Sequence, residues 1–381
     1  MGVALLELRL HRDHPGRLRL QADAERLFAE PARDLAAVTA RPAGRCAHRP
    51  AGPSPKEVPV RSIARHPLAR RLVETVLTLF GVAVLVFTTL RAIPGDEVTA
   101  TLGTEAAGLS AEQQESLRAY YGLDKPLVVQ FFSWLGNVLT GNLGFSRRAG
   151  ASVLEMTANA LPVTLELAVL AMIVGLLIGV PLAMLSASRP NGIRDGFGQL
   201  VGLAALSVPN FLLGAALLTV VSRYAHYNPN AQGFAPLAQD PLLNLQQMLF
   251  PALILGFGLA APIMRTARSA LLEVQTQDFV RTARGKGVAP WRLRVRHVLH
   301  NALNPIVTMT GIQFGYLLGG AVVVEQIFSV PGLGRQVLAG IQQKEYAVVQ
   351  STVLVIATTF VVVNLLTDLL YRVIDPRVRA A

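Results

Sequence analysis

The stretch "DFVRTARGKGVAPWRLRVRHVLHNALNP", residues 278–305, carries five arginines, one lysine and two histidines and lies between long apolar stretches. The whole chain has 381 residues, of which 52% are hydrophobic and only 15% are charged, whereas soluble domains carry about 25% charged residues. Its mean hydropathy is +0.43. These values indicate a membrane protein. The net charge of +11 would suggest nucleic acid for a soluble protein, but in membrane proteins basic residues collect in cytoplasmic loops.

The basic stretch has the pattern of two helices joined by a glycine turn. Residues Asp278–Arg284 have a helical composition, which Gly285 and Gly287 interrupt. Pro290 stands where helices prefer their first residue, so a second helix is predicted over Trp291–Leu303. A loop whose basic residues only set the orientation of the spans does not need a specific helix–turn–helix. An element that docks a partner protein does. The apolar side of the second helix would consist of Leu293, Val295, Val298, Leu299 and Ala302.

Six apolar stretches approach the length of about 17–25 residues that a membrane-spanning helix needs. The sequence therefore predicts an all-α, polytopic membrane protein with six transmembrane helices. The stretches are Leu72–Leu90, Leu167–Ser188 and segments within Gly196–Ser222, Met248–Met264, Pro305–Val324 and Tyr346–Thr367.

The distribution of basic residues predicts the orientation of these spans. The loops on one side are poor in them, since residues 223–246 contain only Arg223 and residues 331–345 only Arg335 and Lys344. Both termini and the basic loop are therefore expected in the cytoplasm. The basic residues between the fourth and fifth spans are Arg265, Arg268, Arg281, Arg284, Lys286, Arg292, Arg294 and Arg296.

The pattern divides the chain into four segments. Residues 1–57 contain no apolar run long enough for a signal-peptide core, and they are predicted to be disordered or weakly helical. Alternatively, they are not part of the natural protein, whose start would then lie near Val58 or Val60. The other segments are 58–159 (first span and external amphipathic region), 160–372 (five spans and the loop 266–304) and 373–381 (cytoplasmic tail).

The external region contains the short amphipathic stretch "PLVVQFFSWLGNVL", residues 126–139. Its aromatic residues Phe131, Phe132 and Trp134 suit a helix that lies in the membrane interface. Packing of the same helix against the membrane bundle is an equally open interpretation.

Motifs for catalysis or for binding nucleotides are not found in the sequence. The pattern G-x-x-x-x-G-K-[ST] does not occur, because Val280 stands where its first glycine would precede Gly285 and Lys286. No arrangement of a nucleophile with a base is evident. His297 and His300 lie about one helical turn apart, but no third ligand accompanies them, so no metal site is predicted.

Several longer motifs resemble one known family. The stretch "DFVRTARGKGV…RHVLHNALNPIV" resembles the cytoplasmic coupling loop of binding-protein-dependent ABC importer permeases, in the form of the dipeptide/oligopeptide group. The stretches "RAIPGD", "YYGLDKPLVVQF", "TLELAVLA", "VVVEQIFSVPGLGR" and "NLLTDLLYRVIDPRVR" resemble the same group in matching order. The resemblance extends from about Leu68 to Arg379 and leaves out residues 1–57.

This resemblance implies the type I ABC importer permease fold in a bacterial plasma membrane and a pathway for di- or oligopeptides. It implies as partners a second homologous permease, two ABC ATPases and an external solute-binding protein, but no nucleic acid. ATP and magnesium would be bound by the ATPases, with no cofactor on this chain, which would not itself be an enzyme. The residues expected to dock an ATPase are Asp278, Arg281, Thr282, Ala283, Arg284, Lys286 and Gly287.

The loop departs from the wider importer family at positions that narrow the expected substrate to peptides and predict the shape of the loop. The triplet Arg281-Thr282-Ala283 stands where the wider family tends to have Glu-Ala-Ala, and this variant is typical of the peptide group. Gly285 replaces the usual alanine of that group. Because a glycine inside a helix costs about 1 kcal/mol relative to alanine, the first helix of the loop is expected to end early. Gly287 is predicted to need either a close approach or a left-handed backbone.

Glu325, Pro331 and Gly332 are candidates for an outer gate. Glu325 precedes the stretch "QIFSVPGLG", in which Pro331 and Gly332 would break the helix near the outer face. Two interpretations are open for the carboxylate. It reaches water from a helix end, or it contacts the second permease or the solute-binding protein.

Other functions were weighed against this one. An ion-coupled secondary transporter would need ionisable residues in the middle of its spans or matched broken helices, and the spans offer almost no such charge. A membrane enzyme would need a catalytic arrangement that is not evident. Nickel, glutathione or an oligosaccharide are alternative substrates, because specificity in such systems lies largely in the receptor.

Overall fold

The computed structural model describes residues 67–92, 110–120, 124–224 and 233–374. Within these ranges the protein is helical, apart from loops and one antiparallel pair of two-residue strands, β1 (Phe145–Ser146) and β2 (Ala151–Ser152). The predictions for residues 1–57, and for the tail beyond Ile374, lie outside the described residues.

The helices are numbered in chain order. They are α1 (Pro67–Arg91), α2 (Ala111–Tyr120), α3 (Leu127–Leu139), α4 (Val153–Ala187), α5 (Ile193–Ser207), α6 (Asn210–Tyr224), α7 (Pro241–Gln275), α8 (Asp278–Gly285), α9 (Pro290–Arg292), a π-helical segment (Leu293–Leu299), α10 (Leu303–Gly320), α11 (Val322–Ile327), α12 (Leu333–Gln342) and α13 (Tyr346–Ile374).

The predicted all-α membrane architecture is confirmed, although the spans are not uniform. Among the described residues, α1, α4, α7 and α13 are long and apolar enough to cross a membrane, and α5 with α6 qualifies as one broken span. The fifth predicted stretch is α10, a helix of 18 residues that includes the polar residues Asn304 and Gln313. It is therefore less apolar than the other predicted spans.

The break between α5 and α6 explains why the third predicted span is not one straight helix. The two helices meet at 90°, with Val208 in an extended conformation (φ −100°, ψ 121°) and Pro209 next to it. A residue that precedes proline is pushed out of the helical region, and proline itself supplies no amide hydrogen for a continuing helix. The Val208-Pro209 pair therefore produces the bend.

The centre of the fold is the packing of α4 against α7, and small residues allow it to be close. Leu167, Met248 and Ile263 are completely buried in this contact. A β-carbon built on Gly256 would overlap the Val174 side chain and lie 2.7 Å from the Ala171 carbonyl oxygen. One built on Gly179 would lie 2.8 Å from the Ala260 carbonyl oxygen. Backbones approach this closely in membranes only where a side chain is missing.

The amphipathic external helix α3 packs on the bundle. The Phe131 ring meets the Phe87 ring of α1 edge to face, with centroids 5.4 Å apart, and Trp134 lies beside both rings. Phe132 and Val128 remain exposed on the other side of α3. The side of α3 that carries Phe131 packs on the bundle, as one of the two interpretations held. The exposed apolar side still suits a position in the membrane interface, as the other held.

The substitution Gly256→Ala is expected to destabilise the fold by about 1–3 kcal/mol, the usual effect of overpacking, because the new methyl group meets α4. The matched control is Gly81→Ala on α1, where a β-carbon has nothing within 4 Å. That change should be neutral or stabilising by up to about 1 kcal/mol. Thermal unfolding of the purified proteins in detergent measures both, and equal melting temperatures would contradict the role given to Gly256.

Candidate functional site

The first helix of the basic loop, α8, is fixed to the membrane bundle by one side chain. Val280 is completely buried, in a cluster with Ala267 and Leu271 of α7 and with Ala183 and Ala187 of α4. The loop is therefore packed against the bundle and does not project freely into solvent. Any movement of α8 bears directly on the ends of two long helices.

The exposed surface of α8 and of the turn after it is basic. Arg281, Arg284 and Lys286 all face solvent. Arg281 lies 3.8 Å from the Asp278 carboxylate, but the two side chains are 78% and 98% exposed, and such pairs contribute little to stability. Thr282 is also exposed and donates its hydroxyl to the Asp278 carbonyl oxygen (3.0 Å). Of the predicted docking residues, Asp278, Arg281, Thr282, Arg284, Lys286 and Gly287 are exposed, whereas Ala283 is half-buried. Their role in docking stays a prediction.

The glycine turn after α8 is a Schellman motif. Gly287 has φ +77°, and its amide donates to the Arg284 carbonyl oxygen (3.0 Å), while the Val288 amide donates to that of Ala283 (3.2 Å). Ala283 and Val288 also pack beside the Val280 cluster, which is the apolar contact typical of this motif. Of the two predicted requirements for Gly287 the left-handed backbone is confirmed. In the part of the chain that the structure describes, nothing lies within 4 Å of a β-carbon built on Gly287, so a close approach to a docking partner stays a prediction.

The second helix of the loop differs from the prediction. Pro290 does begin it, and the helix predicted over Trp291–Leu303 is present up to Asn301. Its segment Leu293–Leu299 is π-helical, which was not predicted. In a π-helix the backbone hydrogen bonds join residues i and i+5. Leu293 and Val298, which are five residues apart, therefore lie on the same side of the segment, and both are buried. Val295 was expected on the apolar side, and it is instead exposed.

The substitution Gly287→Val is expected to cost about 1–2 kcal/mol of local stability, because a β-branched residue is strained in the left-handed region. Hydrogen–deuterium exchange of a peptide covering residues 278–288 should become faster, with the yield of inserted protein unchanged. Gly285→Val is the matched control, since Gly285 has an ordinary helical backbone and open surroundings. Equal exchange in both variants would contradict the Schellman assignment.

A buried ion pair joins the end of α4, the start of α5 and the second half of α7. The Arg268 guanidinium donates to both Asp195 oxygens, from Nε to Oδ1 (2.8 Å) and from Nη2 to Oδ2 (2.6 Å). The Ser186 hydroxyl also donates to the Asp195 carboxylate, as does the Gln199 amide (3.0 Å). Asp195 is 1% exposed and Arg268 22%. Two-point pairing of this kind fixes orientation as well as distance.

Sequence reasoning missed this ion pair. Arg268 was counted only among the basic residues that set the topology, and Asp195 did not stand out in a short turn with Arg189 and Arg194. A signal was present, because a carboxylate beside an apolar span needs a partner. The partner itself could not be identified, since it lies 73 residues further along the chain.

Removing the arginine alone should destabilise the protein by about 3 kcal/mol, because Asp195 would be left buried and unpaired. The variant for this test is Arg268→Met, and the control is Arg265→Met, an exposed position on the same helix. The double variant Asp195→Leu with Arg268→Met should regain much of the loss. Thermal unfolding in detergent measures all three, and a stable single Arg268→Met protein would show that the pair does not stabilise the fold.

At the other end of the bundle, Glu325 joins three helices. Its carboxylate accepts from the Thr164 hydroxyl of α4 (2.8 Å) and from the Arg335 amide at the start of α12 (3.0 Å). A β-carbon on Gly332 would overlap this carboxylate. A carboxylate at the first turn of a helix is favoured by the helix dipole, so Glu325 caps α12 from α11.

This geometry corrects one interpretation of Glu325. The carboxylate is 0% exposed, so it does not reach water from a helix end as one interpretation held. Its desolvation is offset by several hydrogen bonds within the chain. Pro331 and Gly332 lie beside it as predicted, Pro331 exposed and Gly332 buried. A contact of this corner with a receptor or second permease stays a prediction.

Two further features of this end were not foreseen. Glu345 accepts from the Ser146 hydroxyl (2.7 Å) and from the Arg148 amide (3.1 Å), which ties the β1–β2 hairpin to the segment before α13. Beside it lies an open cavity of about 1370 Å³, lined among others by Glu166 and Arg335. Among the described residues, no group of three metal-binding side chains comes together.

Apolar helices long enough to cross a membrane, with a basic helix–turn–helix packed at one end of the bundle, define a polytopic membrane protein. Comparison with known families agrees. The family of binding-protein-dependent transport system inner membrane components matches residues 179–380, and the N-terminal family of the same membrane components matches residues 65–168. The chain therefore belongs to the family of permease subunits of binding-protein-dependent ABC importers, which confirms the resemblance and the predicted fold class.

Individual relatives extend over most of the chain. The dipeptide transport system permease protein DppB of Escherichia coli is 36% identical over 334 residues, covering 82% of this chain and 98% of that protein. A protein of Brucella ovis named as a peptide permease is 37% identical over 303 residues, covering 79% and 95%. Among solved structures, an inward-facing MetNI methionine ABC transporter matches with a TM-score of 0.48 and 17% identity, covering 61% of this chain and 100% of that one.

Proposed function

We propose that this permease forms part of the pathway through which an ATP-driven importer takes up di- or oligopeptides. The observation that carries the proposal is the basic coupling loop, whose Arg281-Thr282-Ala283 variant is typical of the peptide group. Relatives named for peptide or dipeptide transport support the substrate class, since they are at least 35% identical over 79–82% of this chain.

In the proposed assembly this permease has four partner subunits, one of which is a second permease. A second homologous permease completes the pathway, two ATPases bind ATP and magnesium, and an external solute-binding protein delivers the peptide. This chain then holds no cofactor and catalyses no reaction itself. The exposed cations of α8 support an acidic docking surface on the ATPase, because charge-assisted hydrogen bonds are strongest between such groups.

The proposed orientation puts both termini and α8 in the cytoplasm of a bacterial cell. The positive-inside distribution of arginine and lysine supports it. The corner formed by Glu325, Pro331 and Gly332 then lies at the outer face, together with the large open cavity. That is the side from which a solute-binding protein would approach.

The proposed mechanism is alternating access by rigid-body movement. ATP binding closes the ATPase pair and displaces α8 of each permease. Val280 transmits this displacement to α4 and α7, while the Arg268–Asp195 pair makes α5 move with them. At the outer end, the Glu325 contacts keep α4, α11 and α12 together, so the helices tilt as a group and open the pathway outward. Hydrolysis reverses the movement.

The test is uptake of radiolabelled Ala-Ala by proteoliposomes that contain the complete transporter. Wild-type protein should take up the dipeptide only with ATP inside and the solute-binding protein outside. Arg281→Glu should reduce both co-purification of the ATPase and uptake by roughly tenfold, the effect of losing a charge-assisted contact of about 1.5 kcal/mol. Arg189→Glu, an exposed arginine at the end of α4, should change neither.

Two results would contradict the proposal. ATP-dependent uptake of nickel, glutathione or an oligosaccharide in place of peptides would overturn the substrate class and leave the permease role intact. Full ATPase binding and uptake by Arg281→Glu would mean that the basic surface serves only to orient the spans.

A further inference from the structure

The elbow between α5 and α6 borders an open cavity beside the middle of α7. The cavity has a volume of about 370 Å³, and Pro209 and Asn210 of the elbow, Gly258 of α7, and Gln313 and Tyr316 of α10 line it. Gly258 stands near the midpoint of α7, which runs from Pro241 to Gln275. The volume lies at the small end of the range of about 300–1,000 Å³ that small-molecule sites occupy.

Three polar side chains at this cavity lack protein partners. Asn210, Gln313 and Tyr316 form no side-chain hydrogen bond with any other residue in the described ranges. Tyr316 is 71% exposed. Elsewhere on the same helix, polar groups are satisfied locally, as where the Thr310 hydroxyl donates to the Ile306 carbonyl oxygen (2.8 Å).

The position of these groups excludes a lipid contact on energetic grounds. An amide or hydroxyl without a hydrogen-bond partner costs several kcal/mol in hydrocarbon. Two carboxamides and a phenol collected at this cavity therefore need a polar environment. Polar residues inside membrane bundles mark substrate pathways by default.

We infer that the elbow cavity is a binding site for the peptide backbone of the transported substrate, with Asn210, Gln313 and Tyr316 as its hydrogen-bonding groups. The inference rests on the proposed peptide transport. A carboxamide offers one acceptor and two donors, which matches the carbonyl and amide hydrogen of a peptide bond. The three groups are uncharged, so they recognise what all peptides share and are indifferent to side-chain charge.

The glycine at the back of the cavity positions one of these groups. A β-carbon built on Gly258 would lie 2.6 Å from Asn210 Oδ1 and 2.9 Å from Asn210 Nδ2. The Asn210 carboxamide therefore rests against the bare backbone of α7, at the first residue of α6 after the bend. Gly258→Ala should displace this carboxamide without removing it, which makes Gly258 a positioning residue for the site.

The experiment uses the complete transporter in proteoliposomes with radiolabelled Ala-Ala. Gln313→Leu, Asn210→Leu and Tyr316→Phe should each lower the initial uptake rate by roughly two- to tenfold, the effect of one lost hydrogen bond. Gly258→Ala should have a smaller effect in the same direction. ATPase co-purification should stay unchanged in all four, which shows that the complex is assembled. Thr310→Val is the matched control on α10, because its hydroxyl is already bonded to the helix.

A second measurement separates the occupants of the cavity. With Cys46 replaced by serine, Tyr316→Cys should react with a water-soluble thiol reagent, and Ala-Ala should slow the reaction. A cysteine that reacts only with a membrane-soluble maleimide would show a lipid contact. One that cross-links to the second permease would show a subunit interface. Either result, or unchanged uptake by all the variants, would overturn the site. Failure of the wild-type protein to transport Ala-Ala would instead remove the proposed substrate.

Discussion

The close approach of α4 and α7 is the constraint on which the other parts of this permease depend. Gly179 and Gly256 let the two backbones meet, and both helices run for 35 residues. Without a hydrophobic driving force between helices in lipid, such packing of small residues supplies much of the association energy. Helix α8 is anchored at one end of this pair and the Glu325 contacts lie at the other, so the pair connects the two ends of the bundle.

The parts of the fold that follow from composition and local pattern could be read from the sequence. The apolar stretches, the helical start of the basic loop and the role of Pro290 depend only on neighbouring residues. Gly287 belongs to this group as well, since a Schellman motif is formed within one turn of chain. Gly285 was expected to interrupt the first helix of the loop, but it is the last residue of α8. The triplet Arg281-Thr282-Ala283 was singled out from the resemblance of the loop to the peptide group, and its role in docking stays a prediction.

The parts that depend on distant contacts could not be read in this way. The Arg268–Asp195 pair and the Glu325–Thr164 bond join residues 73 and 161 positions apart, and no local pattern reports such distances. The π-helical segment was missed because residues 293–299 have the composition of an α-helix, and tertiary burial of Leu293 with Val298 decides between the two. The bend at Pro209 was visible as a proline, but its angle is set by the neighbours of α5 and α6.

The long separation within the Arg268–Asp195 pair also bears on how the chain is made. At about 5–20 residues per second, the ribosome delivers Asp195 roughly 4–15 s before Arg268. Through that interval the carboxylate has no guanidinium, and burying it alone would be costly. The turn between α4 and α5 must therefore stay hydrated until α7 arrives. We therefore expect α4 to α7 to insert together, because a nascent chain that ends before α7 lacks the partner of Asp195.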